Sequence, residues 1–233
     1  MNTNQKYLSF ILGRGKDGAD ISYTLGPRES VILMAGTCGN GRTTLIEQML
    51  AQLTDKYSSD EVQFILADTI GISFNQYKGQ PYLAKDLLIK PEDVIKAMNW
   101  VLEENERRVE MLKNAKSKST TKFPAIIFVI DEFSYLFKKG GITHDDFTVF
   151  LQEFNKFSRY ANTHIILSTQ RREKEFITDQ DLVYMPTRFI FHCLDANESE
   201  RLILASGAEN LKQGEFLYRN GDINEPIFCK IIR

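Results

Sequence analysis

The sequence predicts an α/β fold with a mostly parallel central sheet and helices on both faces, and three observations predict it. Five short apolar runs, VILMAG (31–36), VQFILAD (62–68), AIIFVID (125–131), HIILSTQ (164–170) and RFIFHCL (188–194), read as strands. They are apolar throughout rather than alternating, the pattern of strands buried on both faces. Between them lie segments with apolar residues three and four apart, and strands alternating with helices need right-handed crossovers that make the sheet parallel.

The elements follow in order. LSFILGRGKDGADISYTL places two β-prone pieces around Lys16-Asp17-Gly18, a turn signal that predicts a small N-terminal β-hairpin at the sheet edge, within residues 1–26. Residues 27–233 form the core of what reads as a single domain, because no repeat or low-complexity stretch divides the chain. Helices are expected over Thr43 to Thr54, Pro91 to Asn114 and Phe147 to Tyr160; Val94, Met98, Val101 and Leu102 show the spacing, and Trp100 reads as core.

Composition narrows the functional classes. The 233 residues are 42% hydrophobic and 26% charged, which excludes disorder and supports a full core. Cys38, Cys193 and Cys229 lack the spacing of a disulfide framework or zinc knuckle, which fits a reducing compartment. With 29 Lys+Arg against 31 Asp+Glu, the net charge of −2 advertises no general affinity for polyanions. The longest apolar runs are too short to cross a bilayer, and MNTNQKYLSF has no signal-peptide pattern, so a cytoplasmic location is expected.

The chemistry concentrates at strand ends, where α/β sheets bind ligands. GTCGNGRTT, comprising Gly36, Thr37, Cys38, Gly39, Asn40, Gly41, Arg42, Thr43 and Thr44, matches the phosphate-binding loop G-x-x-x-x-G-K-[ST] except that Arg42 replaces lysine. Its N–H groups and the following helix suit phosphates, and the Thr43 hydroxyl suits Mg²⁺. A glycine turn that merely joins strand to helix has the same composition. AIIFVIDEF ends a strand in Asp131-Glu132, suited to holding the metal and polarising water respectively, although a lone acidic pair also starts helices. LSTQRR brings Thr169 and Gln170 to a third strand tip, where the amide can meet a γ-phosphate or serve as a polar cap; Arg171 and Arg172 read as surface charges. His144 has no spaced partner for a metal, and Cys38 is taken as a small loop residue rather than a nucleophile.

These motifs occur with NQYKGQPYL (75–83), KAMNWVLEENERR (96–108), SRYANTHIILSTQR (158–171), MPTRFIF (185–191) and ESERLILASGAENLKQGEFLY (198–218). Together they resemble the motor core of the FtsK/SpoIIIE translocases, from about Leu12 to the end. The resemblance implies a RecA-like P-loop ATPase with ATP and Mg²⁺, assembled as a hexameric ring that threads double-stranded DNA. It implies Glu132 and Gln170 as catalytic residues and Arg159 as the arginine reaching a neighbouring subunit's nucleotide, with Arg201 second.

The chain departs from that pattern at Arg42 and has no room for the flanking regions of full translocases, which suggests a minimal motor or an excised domain. Between Arg107 and Lys122 lie six basic residues and one acid, Glu110; with Lys138-Lys139 beside Gly140-Gly141 they are candidate phosphate contacts or a solvated loop. Two alternatives remain. One is an ATPase module of a type VII-like secretion machine, similar to EssC/EccC and associated with a larger membrane assembly without inserting itself. The other is a nucleotide-binding module whose hydrolysis Arg42 impairs.

Overall fold

The computed structural model describes residues 7–26, 30–115, 123–139 and 141–232. The expected hairpin is present as β1 (Leu8–Arg14) and β2 (Asp20–Leu25). The five apolar runs form β3 (Val31–Ala35), β4 (Val62–Asp68), β5 (Ala125–Asp131), β6 (Thr163–Thr169) and β7 (Thr187–Ile190). Two strands that the sequence pattern did not reveal, β8 (Glu215–Arg219) and β9 (Ile227–Lys230), complete the sheet among the described residues.

Strand order is β2-β1-β9-β8-β7-β3-β6-β5-β4. From β7 to β4 every neighbouring pair is parallel, whereas from β2 to β7 every pair is antiparallel. The parallel core is therefore as expected, and the antiparallel wing is wider than a hairpin. β8 (EFLYR) and β9 (IFCK) run over only five and four positions, too short for a strand pattern to stand out.

The helices are α1 (Arg42–Lys56), α2 (Pro91–Asn114), α3 (Tyr135–Lys139), α4 (His144–Ala161), α5 (Asp179–Val183) and α6 (Ala196–Ile203). Pro91 opens α2 with Glu92 and Asp93 in the first turn, residues that suit an unpaired helix start. Thr143 and Asp146 form a reciprocal capping box on α4, and Asn162 closes that helix in the left-handed region. His144 stacks on Phe137 at 4.2 Å between ring centroids.

Two apolar layers flank the sheet. On one face Leu45, Met49 and Leu53 of α1 meet Ile32, Met34 and Val129, each side chain contributing about 1.5–3 kcal/mol on burial. On the other, Val94, Met98 and Val101 of α2 and Phe147, Leu151 and Phe154 of α4 meet Leu33, Phe128 and Leu167. Trp100 is half-buried at the rim of this layer, with the Lys85 ammonium 4.1 Å from its ring centroid. The parallel strands end together, bringing Ala35, Asp68, Asp131 and Thr169 to one edge. No helix among the described residues is long and apolar enough to cross a membrane.

Candidate active site

The glycine loop leaves β3 at Gly36 and enters α1 at Gly41, the helix N-cap at φ 105°. No side chain caps that N-terminus and no acid occupies its first turn, so its N–H groups present unopposed positive potential. The loop's first turn is braced internally: Asn40 donates to the Thr37 hydroxyl, and Thr37 Oγ1 lies 3.1 Å from His192 Nδ1. Thr37 N–H donates to the His192 carbonyl at 2.9 Å.

That brace exists because β7 stops at Ile190, before the expected end at 194. His192 consequently turns towards the loop. On the other side, Gln213 Nε2 donates to the Gly39 carbonyl at 3.0 Å and Gly214 N–H to the Asn40 carbonyl at 3.1 Å. A cavity of about 590 Å³ opens there, lined by Gly39, Arg42, Gln213, Gly214, Lys230 and Ile231 among others. His192, Gln213 and Gly214 were invisible as site residues, since contacts across 155 and 174 positions leave no local signal.

Thr43, which lines this cavity, also reaches the acidic pair. Thr43 Oγ1 donates to Asp131 Oδ2 at 3.1 Å, setting two hard oxygen donors side by side, a donor set that fits Mg²⁺. Burial pushes the Asp131 carboxyl above its ordinary range despite Ser168, Arg42 and Thr43, and nearby Asp68 adds to the rise. A divalent cation would relieve that cost.

Glu132 is buried and sits at φ 55°, a left-handed conformation costing about 1 kcal/mol or more for a side-chain-bearing residue. Phe133 N–H, bonded to the Ser168 carbonyl at 3.0 Å, holds the turn. Glu132 Oε1 accepts from the hydroxyls of Ser134 and Thr169, both at 2.6 Å; Oε2 accepts from the Gln170 N–H at 2.9 Å. The parallel register thus joins the three candidate strand tips.

Arg42 bends back over its own loop. Nη1 donates to the Gly36 carbonyl at 2.6 Å, and Nη2 lies 3.9 Å from Glu132 Oε2. Burial pushes its pKa down, opposed by Glu132 and Asp131. Cys38 is exposed.

Other expected residues lie apart. Arg159 is exposed near the end of α4, over the Tyr160 ring, where the chain enters β6; the seven residues of that strand, about 20 Å, separate it from Thr169. Arg201 is engaged within its own chain, donating to the carbonyls of Ile177 and Arg172 and lying 3.7 Å from Asp179. Arg172, expected at the surface, is 8% exposed and paired with Glu198 at 2.9 Å.

Among the described residues of the basic stretch, the charges are paired. Arg108 is buried, bonded to Glu104 at 2.6 Å and to the carbonyls of Pro124 and Ala161, while Arg107 grips the same Glu104. Lys113 pairs with Glu110 at 3.3 Å. Lys116, Lys118, Lys122 and Gly140 lie outside the described residues, and Lys138 and Lys139 are exposed.

Comparison with known proteins agrees with this architecture. The sequence model of the FtsK/SpoIIIE family matches residues 1–205. The DNA translocase FtsK of Leptospira interrogans serovar copenhageni is 26% identical over 233 residues, covering 93% of this chain and 24% of that protein. The chain therefore spans about a quarter of that relative's length.

Among solved structures, the pCW3 conjugation coupling protein TcpA, a monomer form with ATPγS, has TM-score 0.77 and 19% identity, over 99% of this chain and 68% of that one. The cytoplasmic domain of the type VII secretion ATPase EccC from Thermomonospora curvata has TM-score 0.78 and 19% identity, over 98% of this chain and 29% of that one. The glycine loop, the acidic strand tip and the family match over most of the sequence lead to one conclusion: this chain belongs to the FtsK/SpoIIIE family of P-loop ATPases.

Proposed function

We propose that the chain is a single ATP-hydrolysing motor domain, acting in the cytoplasm on double-stranded DNA as a ring of like subunits. The observation that carries the hydrolytic part is the convergence of Thr43, Asp131 and Glu132 beside an uncapped helix N-terminus. The loop from Gly36 to Thr44 would hold the phosphates, and Thr43 and Asp131 would hold Mg²⁺. When bound, the ion neutralises charge on the phosphoryl oxygens.

Glu132 accepts the proton of the attacking water as its oxygen bonds to the γ-phosphorus and the bridging oxygen leaves with the diphosphate. Its two hydroxyl donors and the Gln170 N–H fix the carboxylate. Polyphosphate draws Arg42 away and opens the side of Oε2 that the guanidinium faces in the free chain. Gln170 aligns water or the γ-phosphate. Arg159, remote from its own loop, reaches the site of a neighbouring subunit.

Turnover and Mg–ATP binding of Glu132→Gln test this reading. Binding within threefold of the parent with turnover reduced at least a hundredfold is expected, and equal turnover overturns it. Duplex DNA should stimulate the parent with a salt dependence that weakens in Lys138→Ala/Lys139→Ala. Stimulation by a secretion substrate instead of DNA would transfer the motor to protein export.

A further inference from the structure

The Gln170 backbone is held on both sides of its Cα. Its N–H donates to Glu132 Oε2 at 2.9 Å, and its carbonyl accepts from Arg172 Nη1. The same buried guanidinium donates through Nε to Glu198 Oε1 at 2.9 Å. Glu198, in the first turn of α6, accepts the Leu194 N–H at 2.8 Å with its other oxygen, two residues beyond His192, which braces Thr37 of the glycine loop. Arg201 on α6 closes the circuit by donating to the Arg172 carbonyl.

We propose that Arg172 and Glu198 are a positioning pair for hydrolysis, fixing the backbone at Gln170 so that its side chain and the Glu132 carboxylate stay aligned with the phosphate loop. The inference rests on the hydrolytic role of Glu132 and Gln170 proposed above. A buried ion pair contributes little net stability over a well-packed apolar pair, because desolvation offsets attraction. What it supplies here is direction: the planar fork spans a carboxylate and a carbonyl at once, which a lysine's single ammonium at the end of a flexible stem does not reproduce. Arg172 is bonded to Glu198 and the Gln170 carbonyl and acts through Gln170.

The test measures kcat, KM and Mg–ATP affinity for Arg172→Lys, Glu198→Gln and Gln170→Ala, with duplex DNA at assembling concentrations. Arg172→Lys and Glu198→Gln should each lower kcat at least tenfold, with nucleotide affinity within threefold and an unchanged melting midpoint for the lysine variant. In the Gln170→Ala background, Arg172→Lys should lower kcat by a smaller factor than in the parent, because part of its effect is exerted through the Gln170 side chain. Arg172→Lys with parental kcat, or losses of kcat and affinity in equal proportion, overturns the proposal. Glu132→Gln separates the two levels: if it retains turnover, the hydrolytic reading fails; if it is silent while Arg172→Lys is active, only the positioning pair fails.

Discussion

Phe191 closes the space beside Gly36: a Cβ added to that glycine would lie 2.5 Å from the Phe191 Cβ and 3.1 Å from its backbone. Gly39, in the same loop at φ 76°, has nothing within 4 Å of the corresponding position. Gly36→Ala must therefore part β3 from the chain leaving β7, with an overpacking cost of about 1–3 kcal/mol. Gly39→Ala pays only for its left-handed backbone, about 1 kcal/mol. Denaturant unfolding should rank Gly36→Ala as the less stable variant, and nucleotide binding should fall further in it.

Arg42 lies over its own loop on few ties: one carbonyl at 2.6 Å, and a carboxylate 3.9 Å away. Glu132 keeps three other donors when Arg42 leaves. Arg42→Ala should accordingly change unfolding free energy by no more than about 1 kcal/mol while weakening Mg–ATP binding at least about tenfold, the scale of one charge-assisted contact. Calorimetric titration beside thermal unfolding checks both halves.

The parallel core was legible because its strands are apolar end to end, and α2 was legible to its termini because Pro91 starts it and its apolar spacing persists to Asn114. The glycine loop and the Asp131-Glu132 tip were equally plain, being contiguous in sequence. What escaped was whatever depends on the returning C-terminal chain. β8 and β9 are short, and His192 and Gln213 matter only through contacts to a loop more than 150 residues earlier. The charge of Arg172 suggested solvent; only the fold supplies Glu198 and the Gln170 carbonyl that make its burial tolerable.

Asp68 offers a test by pH. Burial raises its carboxyl pKa, but the backbone N–H groups of Ser73, Ile70, Ile72 and Gly71 outweigh that and hold it below the ordinary 3.8. A carboxyl with a depressed folded pKa stabilises the fold fully above 3.8, and the contribution disappears as pH falls through the lower folded value. Asp68→Asn should cost about 1–3 kcal/mol at pH 7, the value of charge-assisted bonds to the turn, and converge on the parent in acid. A constant difference across that range in pH-dependent unfolding would place the contribution in shape rather than charge.

Arg188 sets charge against hydrogen bonding inside the protein. Its guanidinium donates to the carbonyls of Met185 at 2.9 Å, Leu202 at 2.9 Å and Leu182 at 2.6 Å, the latter two in the final turns of α6 and α5. Burial, with Arg219 and Arg201 adding repulsion, pushes its pKa down to about 10, a penalty on the charged form of about 3 kcal/mol. Arg188→Met removes that penalty but withdraws donors from three carbonyls, at about 1–3 kcal/mol each where no other donor replaces them. The carbonyl side is larger on balance, and a net loss of about 2 kcal/mol is expected. Arg188→Lys, whose ammonium reaches fewer of the three, should fall between. Denaturant unfolding of both variants decides the balance: a Met variant at least as stable as the parent would mean that the charge, not the three bonds, dominates this joint between β7 and its helices.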